Sequence, residues 1–144
     1  MTTVLFACVE NAGRSQMAAA FFNRFADPTR AHAISAGTEP ADRVHPEAIR
    51  AMQDVDLDVS HAVPQRLTPE LAAAAQWLIT MGCGDACPVA PGTHQEDWQI
   101  DNPKGKTPAE VARIRDAIRA RVASFVAREG WTRNGGSTTS SGPA

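Results

Sequence analysis

Apolar positions along the chain fall into two kinds of pattern. Thr3–Ala7, Ala31–Ala36 and Gln76–Met81 are short apolar or β-branched runs, the last two closed by Gly37 and Gly82. They read as buried strands. Elsewhere apolar residues recur at helical spacing. Met17, Phe21 and Phe25 stand at i, i+4 and i+8 within Ser15–Phe25, which Asp27-Pro28 stops. Pro46–Met52 has proline at its first position, and Thr68-Pro69-Glu70 joins a cap, a proline and an early acid. Thr107 and Glu110 have capping-box spacing. The helix they open aligns Val111, Ile114, Ile118, Val122 and Phe125 on one side. Trp98–Ile100 is a short candidate for a fourth strand.

Strands alternating with helices predict an α/β fold with a parallel sheet. Ligands in such sheets bind beyond the carboxyl ends of the strands. Cys8, the end of Ser35-Ala36-Gly37, and Gly82-Cys83 all stand at carboxyl ends, so one rim can hold them together. Residues 1–131 read as one domain. Residues 132–144, TRNGGSTTSSGPA, have no apolar period and are predicted to lack fixed structure.

Composition narrows the classes. The chain of 144 residues is 43% hydrophobic and 21% charged, as globular domains are, and its net charge of -2 argues against a nucleic-acid partner. No run approaches the ~18 apolar residues of a membrane span. The first residues lack the pattern of a secretion signal, so the expectation is a cytoplasmic protein with no membrane partner. There are three cysteines, Cys8, Cys83 and Cys87, and an odd number suits catalysis or metal binding better than a structural disulfide framework.

The segment CVENAGRS, residues 8–15, carries the chemistry. It links a strand to a helix, whose first turn exposes unpaired N–H groups and the positive end of the dipole. Asn11, Ala12 and Gly13 are small enough for a loop that aims further N–H groups inward as an anion nest. Val9 and Glu10 complete that loop. Arg14 adds a planar cation that grips two oxygens of an oxyanion. The same field stabilises a thiolate, since cysteines at helix N-termini fall to a pKa of ~3.5–7.5. Ser15 is placed to donate a hydrogen bond to the sulfur. The alternative is a buried cysteine near an exposed arginine.

CVENAGRSQMA, SAGTEP, HPEAI, TMGCGDACPV, EDWQIDNPKGK and VARIRDAI, in this order over roughly residues 3 to 128, resemble the arsenate reductases built on the low-molecular-weight protein tyrosine phosphatase fold. The resemblance implies a four-stranded parallel sheet with helices on both faces. It implies that Cys8 is the nucleophile, that Arg14 and the loop amides hold the oxyanion, and that Ser15 supports the sulfur. It implies a relay: Cys8 attacks arsenate, Cys83 attacks the adduct and releases arsenite, and Cys87 then forms a Cys83–Cys87 disulfide. Thioredoxin or another thiol reductant resets the enzyme, each step being thiol–disulfide exchange. Many members place six residues between the last two cysteines, where this chain has Gly84-Asp85-Ala86. Residues i and i+4 of a helix hold their Cβ atoms ~5–6 Å apart, and a disulfide needs ~3.5–4.5 Å. The segment must leave helical geometry to close that bond.

Other readings stay open. Cys83, Cys87 and His94 could surround a zinc ion, without an obvious fourth ligand. A low-molecular-weight phosphatase would share the loop and not need Cys83 and Cys87, and a thiol or metal sensor would perform no reaction. The phosphatase fold places its general acid directly before a proline. That position is Asn102 here, so Asp101 is the candidate acid. Ser35 is a candidate partner for Asn11. His32, His45 and His61 read as surface or packing residues. Some relatives hold potassium near the loop with acidic residues; Ala19 and Gln65 stand there, so neither a metal nor a cofactor is expected.

Overall fold

The computed structural model describes residues 1–82 and 92–133. Four strands, β1 (Thr2–Cys8), β2 (Ala31–Gly37), β3 (Trp77–Thr80) and β4 (His94–Asp97), form a parallel sheet in the order β2-β1-β3-β4. The helices are α1 (Arg14–Phe25), α2 (Pro46–Gln53), α3 (Pro69–Ala74) and α4 (Pro108–Arg128). Alternation along β1 sorts the layers. Val4, Phe6 and Cys8 face the larger core, with Met17, Phe21 and Phe22 of α1, Met52 of α2 and Ile118 of α4. Leu5 and Ala7 face a smaller core under α3, with Leu67, Ala72 and Leu78. Helices therefore cover both faces, as the resemblance implies.

The predicted helices are present, α4 through a complete Thr107–Glu110 capping box. The fourth strand is displaced from its expected place. It is His94–Asp97, a polar edge strand, paired from Trp77↔His94 to Thr80↔Asp97. An edge strand with exposed faces has no apolar run to display. Trp98 follows it and turns fully into the core. The ordered chain also passes residue 131. Thr132 pairs with Ala26, and the Arg133 N–H donates to Phe25 O at 2.9 Å while its guanidinium donates to Asn23 O and Arg24 O. These bonds use carbonyls at the end of α1, which helices leave unpaired. Residues 134–144 and Cys83 and Cys87 lie outside the described residues.

Phe125 ties α4 to the sheet. Its ring meets Phe22 at 6.1 Å, Trp77 at 5.1 Å, Trp98 at 5.8 Å and Trp131 at 5.5 Å, mostly edge to face. Arg128 lies 5.1 Å over Phe125 and Arg121 5.1 Å over Trp98, so charged side chains roof the aromatic cluster. Phe125→Ala is expected to lower the unfolding free energy by about 3–5 kcal/mol. Thr107→Ala, which removes only the cap, should cost about 1 kcal/mol. Urea unfolding of both variants checks this; similar losses would show that the cluster does not anchor α4.

Candidate active site

The chain leaves β1 for β2 on one side of the sheet and later enters β3 on the other. The carboxyl end of β1 is thus the topological switch point, where a crevice opens. Cys8 is the last residue of β1 and the next five residues form the loop. The carbonyl of Cys8 accepts from Thr38 N–H at 3.2 Å, Val9 from Glu39 at 2.8 Å, Glu10 from Ala41 at 2.9 Å and Ala12 from His45 at 2.9 Å. The Asn11 carbonyl accepts from Gln16 Nε2 at 3.1 Å. In a trans peptide each following N–H points opposite to its carbonyl. Pulling these carbonyls outward turns the loop N–H groups toward the concave side, as an anion nest requires. Gly37 permits the close approach of β2: a Cβ there would lie 2.5 Å from Val9 O.

Cys8 Sγ lies 2.9 Å from Ser15 Oγ, and both are buried. Asn11 adopts the left-handed region at φ 52°, and its Nδ2 donates to Ser15 Oγ at 2.7 Å. With that oxygen accepting from Asn11, the hydroxyl proton is available to Sγ, which accepts it as a thiolate. Asn11 Oδ1 accepts from the Gln65 N–H at 3.0 Å, and the Gln65 side chain donates to Ser35 O at 2.9 Å. The expected Ser35–Asn11 contact is therefore replaced by Gln65, which bridges the two.

Arg14 begins α1 and is only 8% exposed. Its guanidinium donates to Ile100 O at 3.2 Å, and no carboxylate among the described residues pairs with it. A buried cation with donors to spare is completed by an anion. The backbone of Gly82 lies directly against it. A Cβ on Gly82 would collide with the Arg14 guanidinium, and Gly82 has φ +90°, which side chains rarely adopt.

Cys8, Arg14, Glu10, Glu39, His45 and Asn102 line one cavity of about 280 Å³ with the loop residues Val9, Ala12 and Gly13. Asn102 Oδ1 accepts from the Lys104 N–H at 3.1 Å, which leaves its amide N–H groups for the cavity. Asp101 lines a separate depression with Gln99, Lys106 and Arg113 and is not among the residues that line the Cys8 cavity. Glu10 accepts from His45 Nε2 at 3.2 Å and pairs with Lys104 Nζ at 3.4 Å. Partial burial pushes its carboxyl up, but His45 and Lys104 outweigh this and hold it below the ordinary carboxylate value.

Residues 3–130 match the family described as low molecular weight phosphotyrosine protein phosphatase. The chain belongs to that family. Its relatives include arsenate reductase 1 of Staphylococcus epidermidis, 36% identical over 130 residues, 88% of this chain and 96% of that protein. A thioredoxin-dependent arsenate reductase of Corynebacterium glutamicum has 35% identity and a TM-score of 0.77, covering 89% of this chain and 61% of its own. This chain thus spans under two thirds of that one. An arsenate reductase in its phosphate-binding state has 30% identity and a TM-score of 0.73, covering 89% of this chain and 98% of its own.

The described structure thus brings Cys8, Val9, Glu10, Ala12, Gly13 and Arg14 to one cavity, with Ser15 at the Cys8 sulfur. The described residues place His94 at the amino end of β4, stacked 4.7 Å from Trp77. His45 is the residue that sequence reasoning missed. It caps α2 and lines the cavity, where its side chain is 17% exposed. The signal available was its place directly before Pro46 at a helix start. Gly82→Ala is expected to displace Arg14 and weaken phosphate binding at least about tenfold, the loss of one charge-assisted contact. Calorimetric titration with phosphate measures this, with alkylation of Cys8 showing that the loop persists. Unchanged affinity would mean that Arg14 does not hold the anion.

Proposed function

We propose that the protein reduces arsenate to arsenite, with Cys8 as nucleophile. The observation that carries this is the buried Cys8 Sγ, 2.9 Å from Ser15 Oγ, in a cavity with the Arg14 guanidinium, which pairs with no carboxylate among the described residues. A tetrahedral oxyanion fits the inward N–H groups and the guanidinium fork. Arsenate and phosphate share that geometry, so the cavity alone does not choose between them. Relatives named arsenate reductase, together with Cys83 and Cys87 in the sequence, favour arsenate. Val9, Glu10, Asn11, Ala12 and Gly13 supply the loop, Arg14 the cation, and Ser15 the bond to the sulfur.

Reduction of arsenic(V) to arsenic(III) consumes two electrons, which one thiol does not supply catalytically. In this reading Cys8 forms the sulfur–arsenic bond and Cys83 attacks Cys8 Sγ. The sulfur–arsenic electron pair leaves with arsenite, and Cys87 resolves the Cys8–Cys83 disulfide. A thioredoxin-type thiol reductant then reduces Cys83–Cys87, in the reducing compartment that such chemistry needs. The protein belongs, on this proposal, to arsenic detoxification in the cytoplasm.

Thiol titration after arsenate addition, without reductant, tests the reading. The wild type should lose two thiols per arsenite formed, Cys8→Ser none, and Cys87→Ser should complete one round and stall with Cys8 and Cys83 joined. A phosphatase would lose none in any form, and sustained thioredoxin-coupled turnover by Cys87→Ser would refute the relay.

The phosphatase reading rests on the family fold, and Asn102 weakens it. An aryl phosphate needs a proton on its leaving oxygen, and a positioned acid is worth ~10²–10⁴-fold. Asn102 lines the cavity and has no proton to give. Aryl-phosphatase activity is therefore expected to be weak, and Asn102→Asp should raise it more than it raises arsenate consumption. Steady-state rates on both substrates measure this; an equal gain on both would count against the argument.

A further inference from the structure

We propose that His45, held by Glu10, donates the proton with which the leaving oxygen of the bound oxyanion departs as water, an inference that rests on the arsenate reading. A positioned acid speeds that departure. Asn102 stands where an acid would serve, and Asp101 lines another depression. Cys8 is the nucleophile and Arg14 does not release its proton. The carboxylates Glu10 and Glu39 also line the cavity. Glu10 is held as an acceptor between His45 and Lys104. Imidazole is the side chain that gains and loses a proton near neutrality.

The geometry assigns the nitrogens. Glu10 Oε1 accepts at 3.2 Å from His45 Nε2, so that nitrogen carries a proton in both forms of the ring. Nδ1 is then the atom that titrates. His45 makes no side-chain cap to α2, and Nδ1 has no protein partner among the described residues. The backbone N–H of His45 donates to the loop carbonyl of Ala12 at 2.9 Å, which ties the residue to the anion loop. An imidazole with one nitrogen anchored, the other unpartnered, and its backbone bolted to the anion loop is a proton donor held at the site. Glu10 acts through it as a positioning residue.

The step balances. The Cys8 thiolate forms the sulfur–arsenic bond while one arsenic–oxygen bond breaks. The oxygen leaves as hydroxide and takes the Nδ1 proton, forming water and a neutral imidazole. Arsenic stays at arsenic(V), so no electrons transfer here, and solvent returns the proton to His45. The charged groups around the ring are Glu10 from the loop, Lys104 reaching Glu10 from beyond Pro103, Glu47 on α2, Glu39 after β2, and Arg14 of α1.

Single-turnover consumption of arsenate, without reductant, from about pH 6 to about pH 9 brackets imidazole titration and tests this. In the wild type the rate should fall as the ring deprotonates. His45→Gln should be about 10²-fold slower at neutral pH and lose that basic limb. Glu10→Gln should keep the limb but shift it to lower pH. The double variant His45→Gln/Asn102→Asp should recover at least about tenfold, because a second acid enters the cavity. A His45→Gln rate within about twofold of wild type, or a loss equal at every pH and not rescued by Asn102→Asp, overturns the proposal. The His45 ring proton resonance supplies a readout independent of reduction. Saturating phosphate should raise its titration midpoint, and an unmoved midpoint places His45 away from the anion and overturns the proposal. If the wild type fails to consume arsenate, the arsenate reading fails first, and hydrolysis of an aryl phosphate by the same variants then decides the role of His45 by the same criteria.

Discussion

The outward pull on the carbonyls of residues 8 to 12 is the interaction on which the site depends. Five consecutive peptide units give their carbonyls to Thr38, Glu39, Ala41, Gln16 and His45. Four of the donors are backbone N–H groups of the segment that follows β2. The loop is therefore shaped by the chain that leaves the neighbouring strand, and not by its own side chains. This explains why β2 must end in glycine. Gly37 lets the segment after it lie close enough to collect those carbonyls, and a Cβ would press on Val9 O. The sheet order matters for the same reason. Only a strand hydrogen-bonded to β1 on that side delivers residues 38 to 45 across the loop.

Once the N–H groups face inward, electrostatics follows. The nest, the dipole of α1 and Arg14 give one small volume several positive ends, and no carboxylate among the described residues pairs with the guanidinium. Arg14 also reports on two other elements. Ile100 O holds one of its N–H groups, and Gly82 forms the wall behind it. The grip on an oxyanion is thus built jointly by α1, by the chain leaving β3, and by the chain leaving β4. All three meet at the carboxyl rim, where a parallel sheet gathers its connections.

Much of this was readable from residue order. Local signals sufficed for helices with caps and for strands with apolar runs, and the loop chemistry followed from Cys8, Gly13, Arg14 and Ser15 standing between strand and helix. The failures share a physical cause. β4 has the sequence HQED, and its strand conformation comes from pairing with β3, a tertiary effect that periodicity does not carry. Trp98, its aromatic neighbour, drew the strand assignment although it serves the core. Thr132 and Arg133 look like linker, yet they pair with carbonyls that the end of α1 leaves open. His45 carried only a helix-start signal, for a related reason. Its partner Glu10 lies 35 positions away in sequence, and only folding brings them together. Gln65 likewise lies 54 positions from Asn11, whose side chain it helps to fix.

A carboxylate inside an anion-binding loop needs a reason, because Glu10 opposes the charge that the rest of the loop collects. Left unpaired, it would weaken binding of any dianion at close range. The structure answers by surrounding it. Lys104 and His45 both bond to it, and its carboxyl is held ionised by them. When His45 is protonated, the triad of Lys104, Glu10 and His45 carries a net positive charge toward the cavity. When His45 is neutral the triad carries none. Glu10 is thereby offset by the two groups that bond to it. An aspartate at position 102 would instead add a permanent charge after each proton transfer. For a substrate that arrives as an anion and carries protons of its own, a neutral Asn102 beside a histidine costs less binding than a carboxylate would. A neutral Asn102 thus lowers the repulsion that a free oxyanion meets in the cavity.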